Sequence, residues 1–324
     1  MEVSIIIPTF NRSESLLRTI RSFANQDEMD NQYEIIIADN NSNDDTFELV
    51  SKFISENKKI KVRYHFEPEQ GVHYARNSAA KVSKGQILYF TDDDMEADSK
   101  LLKEIISLFK ENPNLATATG LVLPKFEVRP PLWIKKYLDN QFLSLTRKDI
   151  PWYKIVSYEE EPIGIYSCHQ AIRKEAFFDC GGFNPENTKG IWLGDGETGL
   201  IKKLRKKNYL FGFTKKSIIY HHIPKSRLTI KYIIKRMINQ AYSDSYSDYR
   251  DYRDVNLLVI NLFKRNIFAL LKLLIHFLRS FIRQRSFYLL IGRAAYYLHR
   301  NIYDLKILLN KEFRNMVTKD NWLG

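Results

Sequence analysis

Gln86-Ile87-Leu88-Tyr89-Phe90-Thr91-Asp92-Asp93-Asp94 joins a short apolar run to three consecutive acids. The run has the length of a strand buried on both faces and is too short for a core helix. Three neighbouring carboxylates repel one another, a cost that a cation removes. Hard oxygen ligands suit magnesium or manganese, which keep open positions for phosphate oxygens. The alternative is a helix cap: Asp94 or Asp98 can cap a helix over Ser99 to Lys110. Capping explains one acid of the three, so the triad reads as a metal-binding strand end.

Upstream, the same pattern repeats. Val3 to Ile7, Glu34 to Ala38 and Lys61 to Phe66 read as strands. Ser13 to Phe23, Asp45 to Ser55 and Tyr74 to Ser83 read as helices, with apolar residues on one face. Alternating strands and helices predict a parallel sheet covered on both sides. Ligands of such sheets bind beyond the carboxyl ends of the strands. Thr9 to Arg12, Asp39 to Asp45 and Asp92 to Asp94 all lie there and are expected to converge. Downstream, Leu115 to Leu123 and Ser217 to His222 read as further strands, Thr198 to Lys207 as a helix. From Leu228 the chain reads as almost wholly helical. We therefore expect one domain over 1–228 and a helical extension over 229–324.

The 324 residues carry a formal charge of +12, which suggests an anionic partner. Cys168 and Cys180 fit no zinc spacing and read as reduced thiols. The start, MEVSIIIPTFNR, has no basic segment ahead of a long apolar run, and no stretch offers the ~18 uncharged apolar residues of a membrane span. These features predict a cytoplasmic protein, with room for peripheral membrane attachment.

The motifs now acquire a family likeness. Ser4-Ile5-Ile6-Ile7-Pro8-Thr9-Phe10-Asn11-Arg12, the strand end Asp39-Asn40-Asn41-Ser42 with Asp44 and Thr46, Gln70-Gly71, Ala75-Arg76-Asn77, Gly85, the acidic triad and Gly181-Gly182-Phe183 occur in that order. The chain resembles a family 2 glycosyltransferase of the GT-A fold, over roughly the first 230 residues. The resemblance implies an α/β GT-A domain that binds a nucleotide sugar with Mn2+ or Mg2+ and transfers the sugar to a carbohydrate or lipid-linked acceptor. It implies that Thr9, Asp39 and Arg76 hold the nucleotide, with Pro8, Asn11, Arg12 and Asn41 around them. Asp92 and Asp94 become the two DXD acids and Asp93 the variable middle position. Asp39 suits the imide N–H of a uracil or thymine ring, which favours a UDP-sugar. Asn40 departs from the pattern, because many relatives carry a second Asp there.

Inversion at a sugar carbon needs a base for the acceptor hydroxyl. Gly194-Asp195-Gly196-Glu197 precedes an amphipathic helix. Relatives have Glu-Asp before this helix, with the Asp as base. Alignment on Leu200 selects Glu197 and alignment on the preceding glycine selects Asp195; we favour Glu197. Both acids can instead simply complement the helix dipole. Of His221 and His222, strand alternation lets only one face the site. The resemblance and the spacing to Arg227 point to His221 as a third metal ligand; a structural histidine is the equal alternative.

Trp133, Trp152, Tyr153, Tyr158 and Phe183 are core or acceptor-site aromatics, and Trp192 is the best candidate for stacking on an acceptor sugar. The Tyr242, Tyr246, Tyr249, Tyr252 series reads as a packed helix stripe, with an acceptor platform or a subunit contact as the sharper reading. In the run Leu257 to Ile282, Asn261, Arg265, Lys272, His276, Arg279 and Arg283 form one narrow stripe at helical spacing, and acids are absent from Val255 to Tyr303. A wide apolar face beside a basic stripe predicts a helix lying on an anionic membrane surface. Packing of that broad face on the rest of the protein, or on a second copy in a homo-oligomer, is the alternative. Rival functions fit less well. A nucleic-acid binder leaves the acids unexplained, and a nucleotidyltransferase would carry a glycine-rich loop where Pro8 to Ser15 has no glycine. A non-catalytic nucleotide-sugar-binding relative remains open.

Overall fold

The computed structural model describes residues 1–29, 32–137, 143–146, 153–156, 164–280 and 286–324. Strands β1 (Val3–Thr9), β2 (Tyr33–Asp39), β3 (Val62–Phe66) and β4 (Ile87–Thr91) alternate with helices α1 (Ser13–Ala24), α2 (Thr46–Glu56) and α3 (Val72–Val82). Next come β5 (Met95–Ala97), α4 (Leu101–Glu111), β6 (Leu115–Phe126), β7 (Tyr153–Val156), β8 (His169–Arg173) and α5 (Lys174–Asp179). A small hairpin, β9 (Asn187–Thr188) and β10 (Ile191–Trp192), precedes α6 (Gly196–Lys206) and β11 (Leu210–Ile223). The helices α7 (Ile230–Tyr252), α8 (Val255–Ser280), α9 (Ser286–Leu309) and α10 (Lys311–Val317) form the extension.

The main sheet runs β3-β2-β1-β4-β8-β6-β11-β5, with β7 also beside β11. β1 is parallel to β2 and β4, β2 to β3, and β6 to β11. β8 enters antiparallel between β4 and β6, and β5 and β7 are antiparallel to β11. Residues of β1 alternate between two cores: Val3, Ile5 and Ile7 face one, Ile6 the other. Burial on both faces explains the continuous apolar runs in the sequence. The order reverses at β1, whose neighbours are β2 and β4, and this opens a crevice at the strand ends. Register makes the ends level: Thr9 pairs with Asp39, and the Val3–Ile87 pairing carries Thr9 to the height of Asp93.

The tyrosine stripe of α7 forms the core of the extension. Tyr246 and Tyr249 are buried with Tyr303, Ile307, Phe313 and Val317. The chain then returns to the sheet body. The Trp322 N–H donates to the Gly181 carbonyl (2.9 Å), and Leu323 is buried in the second core. Thr229, whose side chain accepts from the Tyr232 N–H, caps the start of α7.

Helix α8 is turned opposite to an ordinary surface helix. Its packed side holds Leu258, Ala269 and the half-buried polar residues Asn261, Arg265 and Asn266. Arg265 donates to Asn301 (3.0 Å) and pairs with the fully buried Asp304 of α9. Outward lie Phe263 (70% exposed), Ile267, Phe268, Leu270 (70%), Leu271 and Leu274. These apolar side chains are thus left exposed among the described residues, and Arg265 is a buried partner, not part of an outer basic stripe. Lys272 is exposed; the side chains of His276, Arg279 and Arg283 lie outside the described residues, as do Trp152 and Tyr158 and the side chain of Tyr153. Among the described residues no helix is long and apolar enough to cross a membrane.

His169 on β8 is wholly enclosed. Its Nδ1 is 2.7 Å from the Tyr89 hydroxyl, and its Nε2 is 3.3 Å from the Ser217 carbonyl. The carbonyl can only accept, so Nε2 bears the proton and the Tyr89 hydroxyl donates to Nδ1. Burial lowers the His169 pKa to about 4. Between the ordinary value and about 4 the unfolded chain binds a proton that the folded chain excludes, so stability falls as pH falls. The slope is about 1.4 kcal/mol per pH unit for one such group. Denaturant melts at pH 7 and pH 5 should show this loss in the wild type, and His169→Gln, which keeps both hydrogen bonds without titrating, should lose that part of the pH dependence.

Candidate active site

A cavity of about 490 Å3 opens over the level strand ends. Of the residues expected from sequence, Pro8, Thr9, Arg12, Arg76, Asp92, Asp93, Asp94 and Glu197 line it. Thr9 donates to Asp93 (2.9 Å) from the end of β1. Arg12, at the start of α1, reaches Asp93 (2.6 Å) and Asp94 (3.1 Å). Arg76 of α3 pairs with Asp92, and Arg227, just after β11, pairs with Asp94 (2.8 Å). Every acid of the triad therefore has a guanidinium partner, each drawn from a different element.

Burial separates the acids. It pushes the Asp93 carboxyl up, with Asp94 and Asp92 adding to the effect against Arg12 and Thr9. Burial acts on Asp94 too, but the guanidinium groups of Arg227 and Arg12 oppose it, and that carboxyl is held well below the usual range. Asp98, not the triad, accepts from the Lys100 N–H ahead of α4, so the capping explanation of the triad fails.

His221 does not line the cavity. It is buried behind Asp94, with Nε2 3.7 Å from Asp94 Oδ2. Arg227 donates to Nε2 (2.6 Å), so the ring proton is on Nδ1 and is donated to the Leu143 carbonyl (3.0 Å). His222 faces the other way, toward Glu96 (2.8 Å), as strand alternation requires. Among the described residues no three His, Cys, Asp or Glu side chains close on one point as a metal cage. Yet Asp94 Oδ1 is buried without a hydrogen-bond partner, and Asp92 is about one-third exposed on the cavity. An open site with one or two carboxylates beside substrate phosphates is the arrangement that magnesium uses. The residues fit such an ion.

The two candidate bases separate cleanly. Glu197 faces the cavity, and its Oε2 accepts from the Ser167 N–H (2.7 Å) and hydroxyl (2.5 Å). Burial raises its pKa, reinforced by Glu186 and opposed by Ser167. Asp195 is buried outside the cavity lining and accepts from Asn184 (2.8 Å) and from Ser247 of α7 (2.6 Å). It ties the loop to the extension. Asp39, Asn11, Asn41 and Trp192 also lie outside the cavity lining. Asp39 accepts from the Ser42 N–H (3.0 Å) and the Tyr64 hydroxyl (2.6 Å). Asn11 and Asn41 take positive φ angles in the turns beside it. Trp192 donates to Ser243 (2.8 Å), and the hairpin turn, Lys189 and Gly190, reaches the cavity instead.

Asn40 explains its own departure from the family pattern. Its amide donates to the Glu67 (3.3 Å) and Glu69 (2.8 Å) carbonyls and its oxygen accepts from the Gly71 N–H (2.6 Å). A carboxylate cannot donate to those carbonyls. Sequence reasoning passed over Ser167, Glu186 and Arg236, which also line the cavity. They come from β8's approach, the hairpin's approach and α7, where no local motif marks them.

Residues 4–182, more than half of the chain, match the family described as Glycosyl transferase family 2. The chain belongs to this family. An uncharacterised glycosyltransferase, YfnE, of Bacillus subtilis is 36% identical over 115 residues, 36% of this chain and 29% of that protein. The poly(ribitol-phosphate) β-N-acetylglucosaminyltransferase TarP of Staphylococcus aureus is 36% identical over 115 residues, 34% of each chain. The matched stretch is thus about a third of either relative. The mannosyltransferase PcManGT of Pyrobaculum calidifontis, solved with GDP-Man and Mn2+, superposes with a TM-score of 0.62 at 16% identity, over 94% of this chain and 87% of that one. This likeness in fold covers nearly the whole chain.

Loss of Asp195 should be a stability defect. Asp195→Ala leaves the Asn184 amide and the Ser247 hydroxyl without acceptors, at about 1–3 kcal/mol for each orphaned group. Chemical denaturation should show that loss.

Proposed function

We propose that this family 2 member is an inverting transferase that moves a sugar from a nucleoside diphosphate sugar, UDP-linked by preference, to an acceptor hydroxyl. The observation that carries the reading is that Glu197 lines the same cavity as Arg76 and the acids Asp92, Asp93 and Asp94. Glu197 is the base: Ser167 fixes its orientation, and burial raises its proton affinity. Asp94 and Asp92 would hold Mn2+ or Mg2+, with His221 holding Arg227 against Asp94 from behind. The ion, when bound, stabilises the leaving diphosphate. Arg12 and Arg227 supply planar donors suited to diphosphate oxygens. Asp39, steadied by Tyr64 and Ser42, keeps spare lone pairs for the imide N–H of the base. Residues 1–228 carry this chemistry, and 229–324 serve as the extension, although Arg236 of α7 reaches the cavity.

Thermal shifts with UDP-, TDP- and GDP-sugars in the presence of Mn2+ test the donor reading; we expect a metal-dependent shift, largest for a UDP-sugar. Glu197→Gln should abolish transfer and leave that shift intact. Full turnover by Glu197→Gln would remove the base from the mechanism. A wild-type protein that binds the donor but neither transfers nor slowly hydrolyses it would be a non-catalytic relative.

The acceptor reading is a cell-surface polysaccharide or glycoconjugate, presented at the cytoplasmic face of a membrane. Support comes from the outward apolar face of α8. Between residues 255 and 303 the sequence adds Lys and Arg but no Asp or Glu. An anionic bilayer answers both features, with apolar side chains at the acyl boundary and basic ones at the headgroups. Co-sedimentation of the full chain with phosphatidylglycerol-containing vesicles should succeed, and Phe263→Glu with Phe268→Glu should abolish it. A chain that stays in the supernatant as a dimer, dissociated by those substitutions, would make the face a subunit contact instead.

A further inference from the structure

His73 lies on α3 one turn before Arg76, fully enclosed, its ring stacked on Phe183 at a centroid distance of 4.6 Å. Its Nδ1 is 3.2 Å from a guanidinium nitrogen of Arg76 and its Nε2 is 3.0 Å from Glu186 Oε2. A guanidinium only donates, so Nδ1 is the acceptor, and the single ring proton sits on Nε2 and is donated to Glu186. The second guanidinium nitrogen of Arg76 pairs with Asp92. Glu186, His73, Arg76 and Asp92 therefore form one continuous line from the hairpin side of the cavity to the acidic triad.

Two glycines show how tightly the surroundings close on this line. At Gly196, φ is +45°, and a Cβ would lie 2.3 Å from His73 Nε2 and 3.1 Å from Glu186 Oε2. The loop that carries Glu197 can approach the pair only through a glycine. At Gly71, φ is +153°, and a Cβ would lie 2.6 Å from the Asn187 carbonyl oxygen, so the start of α3 abuts the hairpin directly after Glu186.

We propose that Glu186 and His73 are positioning residues that hold Arg76 at the donor side of the cavity and tie its placement to the hairpin and to the Glu197 loop. The inference rests on the reading of the cavity as a nucleotide-sugar site. The charge states suit the relay. Burial lowers the His73 pKa, with Arg76 adding to it against Glu186. Burial alone would raise the Glu186 carboxyl, but the bond from His73, with Arg236 and Arg76, brings it below its ordinary value. A neutral imidazole thus donates to an ionised carboxylate. An arginine with its planar fork fixed from behind loses less freedom when it meets an anionic ligand.

Two measurements test this. In the ligand-free protein, 15N NMR of the imidazole at neutral pH should show His73 neutral with its proton on Nε2; a proton on Nδ1, or an imidazolium, overturns the relay whatever the cavity binds. In the second, calorimetry with UDP and Mn2+ reads the effect on the donor side. His73→Phe keeps the ring stack and breaks both hydrogen bonds, and should weaken binding about tenfold, as for one charge-assisted hydrogen bond. Glu186→Leu should do the same, and Glu186→Gln, whose amide oxygen still accepts from Nε2, should stay within about threefold of wild type. The double variant His73→Phe with Glu186→Leu should be no weaker than either single one, as members of one chain are non-additive. Wild-type affinity in His73→Phe overturns the proposal. So does a Glu186→Gln that loses turnover as completely as Glu186→Leu with binding intact, which would make Glu186 a directly acting carboxylate. A wild type that binds no nucleotide with metal defeats the donor reading, and the NMR result still stands on its own.

Discussion

Three carboxylates at the end of one buried strand must be neutralised, and the architecture of the cavity follows from that requirement. Asp93 and Asp94 are almost wholly buried, and a buried charge left without a partner costs several kcal/mol. Arg12, Arg76 and Arg227 answer it from the β1 turn, from α3 and from the segment after β11. Each guanidinium fixes the element that bears it relative to β4. The level registers of β1, β2 and β4 make the convergence possible, since a slip of one residue would turn Thr9 and Asp39 away from the triad.

The same arginines line the cavity as well as holding the fold. A guanidinium presents several donors in one plane, so it can hold a carboxylate and still suit a diphosphate oxygen. His221 illustrates how one contact sets the chemistry of the next. Because Arg227 donates to its Nε2, its lone pair rather than its proton faces the acidic side. The histidine thereby positions Arg227, which pairs with Asp94, and its own orientation is fixed by the Leu143 carbonyl.

The extension follows a related electrostatic logic. Asp304 is fully buried on α9, and Arg265 of α8 is its partner. That pairing fixes the rotation of α8 about its axis, with Asn261 and Asn266 inward and Phe263 and Leu270 outward. A helix of this composition would ordinarily bury its apolar side. Here the cost of stranding Asp304 decides the rotation, and a large apolar surface is left facing out, a feature of interaction sites rather than of ordinary monomer surfaces.

Short-range sterics and periodicity are written locally, and so the strands β1, β2 and β4, the helices between them and the convergence of Thr9, Asp39 and the acidic triad were legible in the sequence. The family motifs added Arg76 and a carboxylate near residue 197. What remained undecided depended on partners distant along the chain. Asp195 and Glu197 are two residues apart in one glycine-rich loop, and Asp195 is captured by Asn184 and by Ser247, 52 residues later, while Glu197 faces the cavity. The antiparallel entry of β8 between β4 and β6 could not be read either, because a strand's direction leaves no mark on its own residues. Nor could the line from Glu186 to His73, which lie 113 residues apart. The sequence alone determined which segments are strands and helices and which polar groups gather at the strand ends, because those depend on neighbours within a few residues. Only the tertiary structure decided which of those groups are spent on holding the fold and which are left facing the cavity, because a buried polar group is satisfied by whatever the fold brings to it.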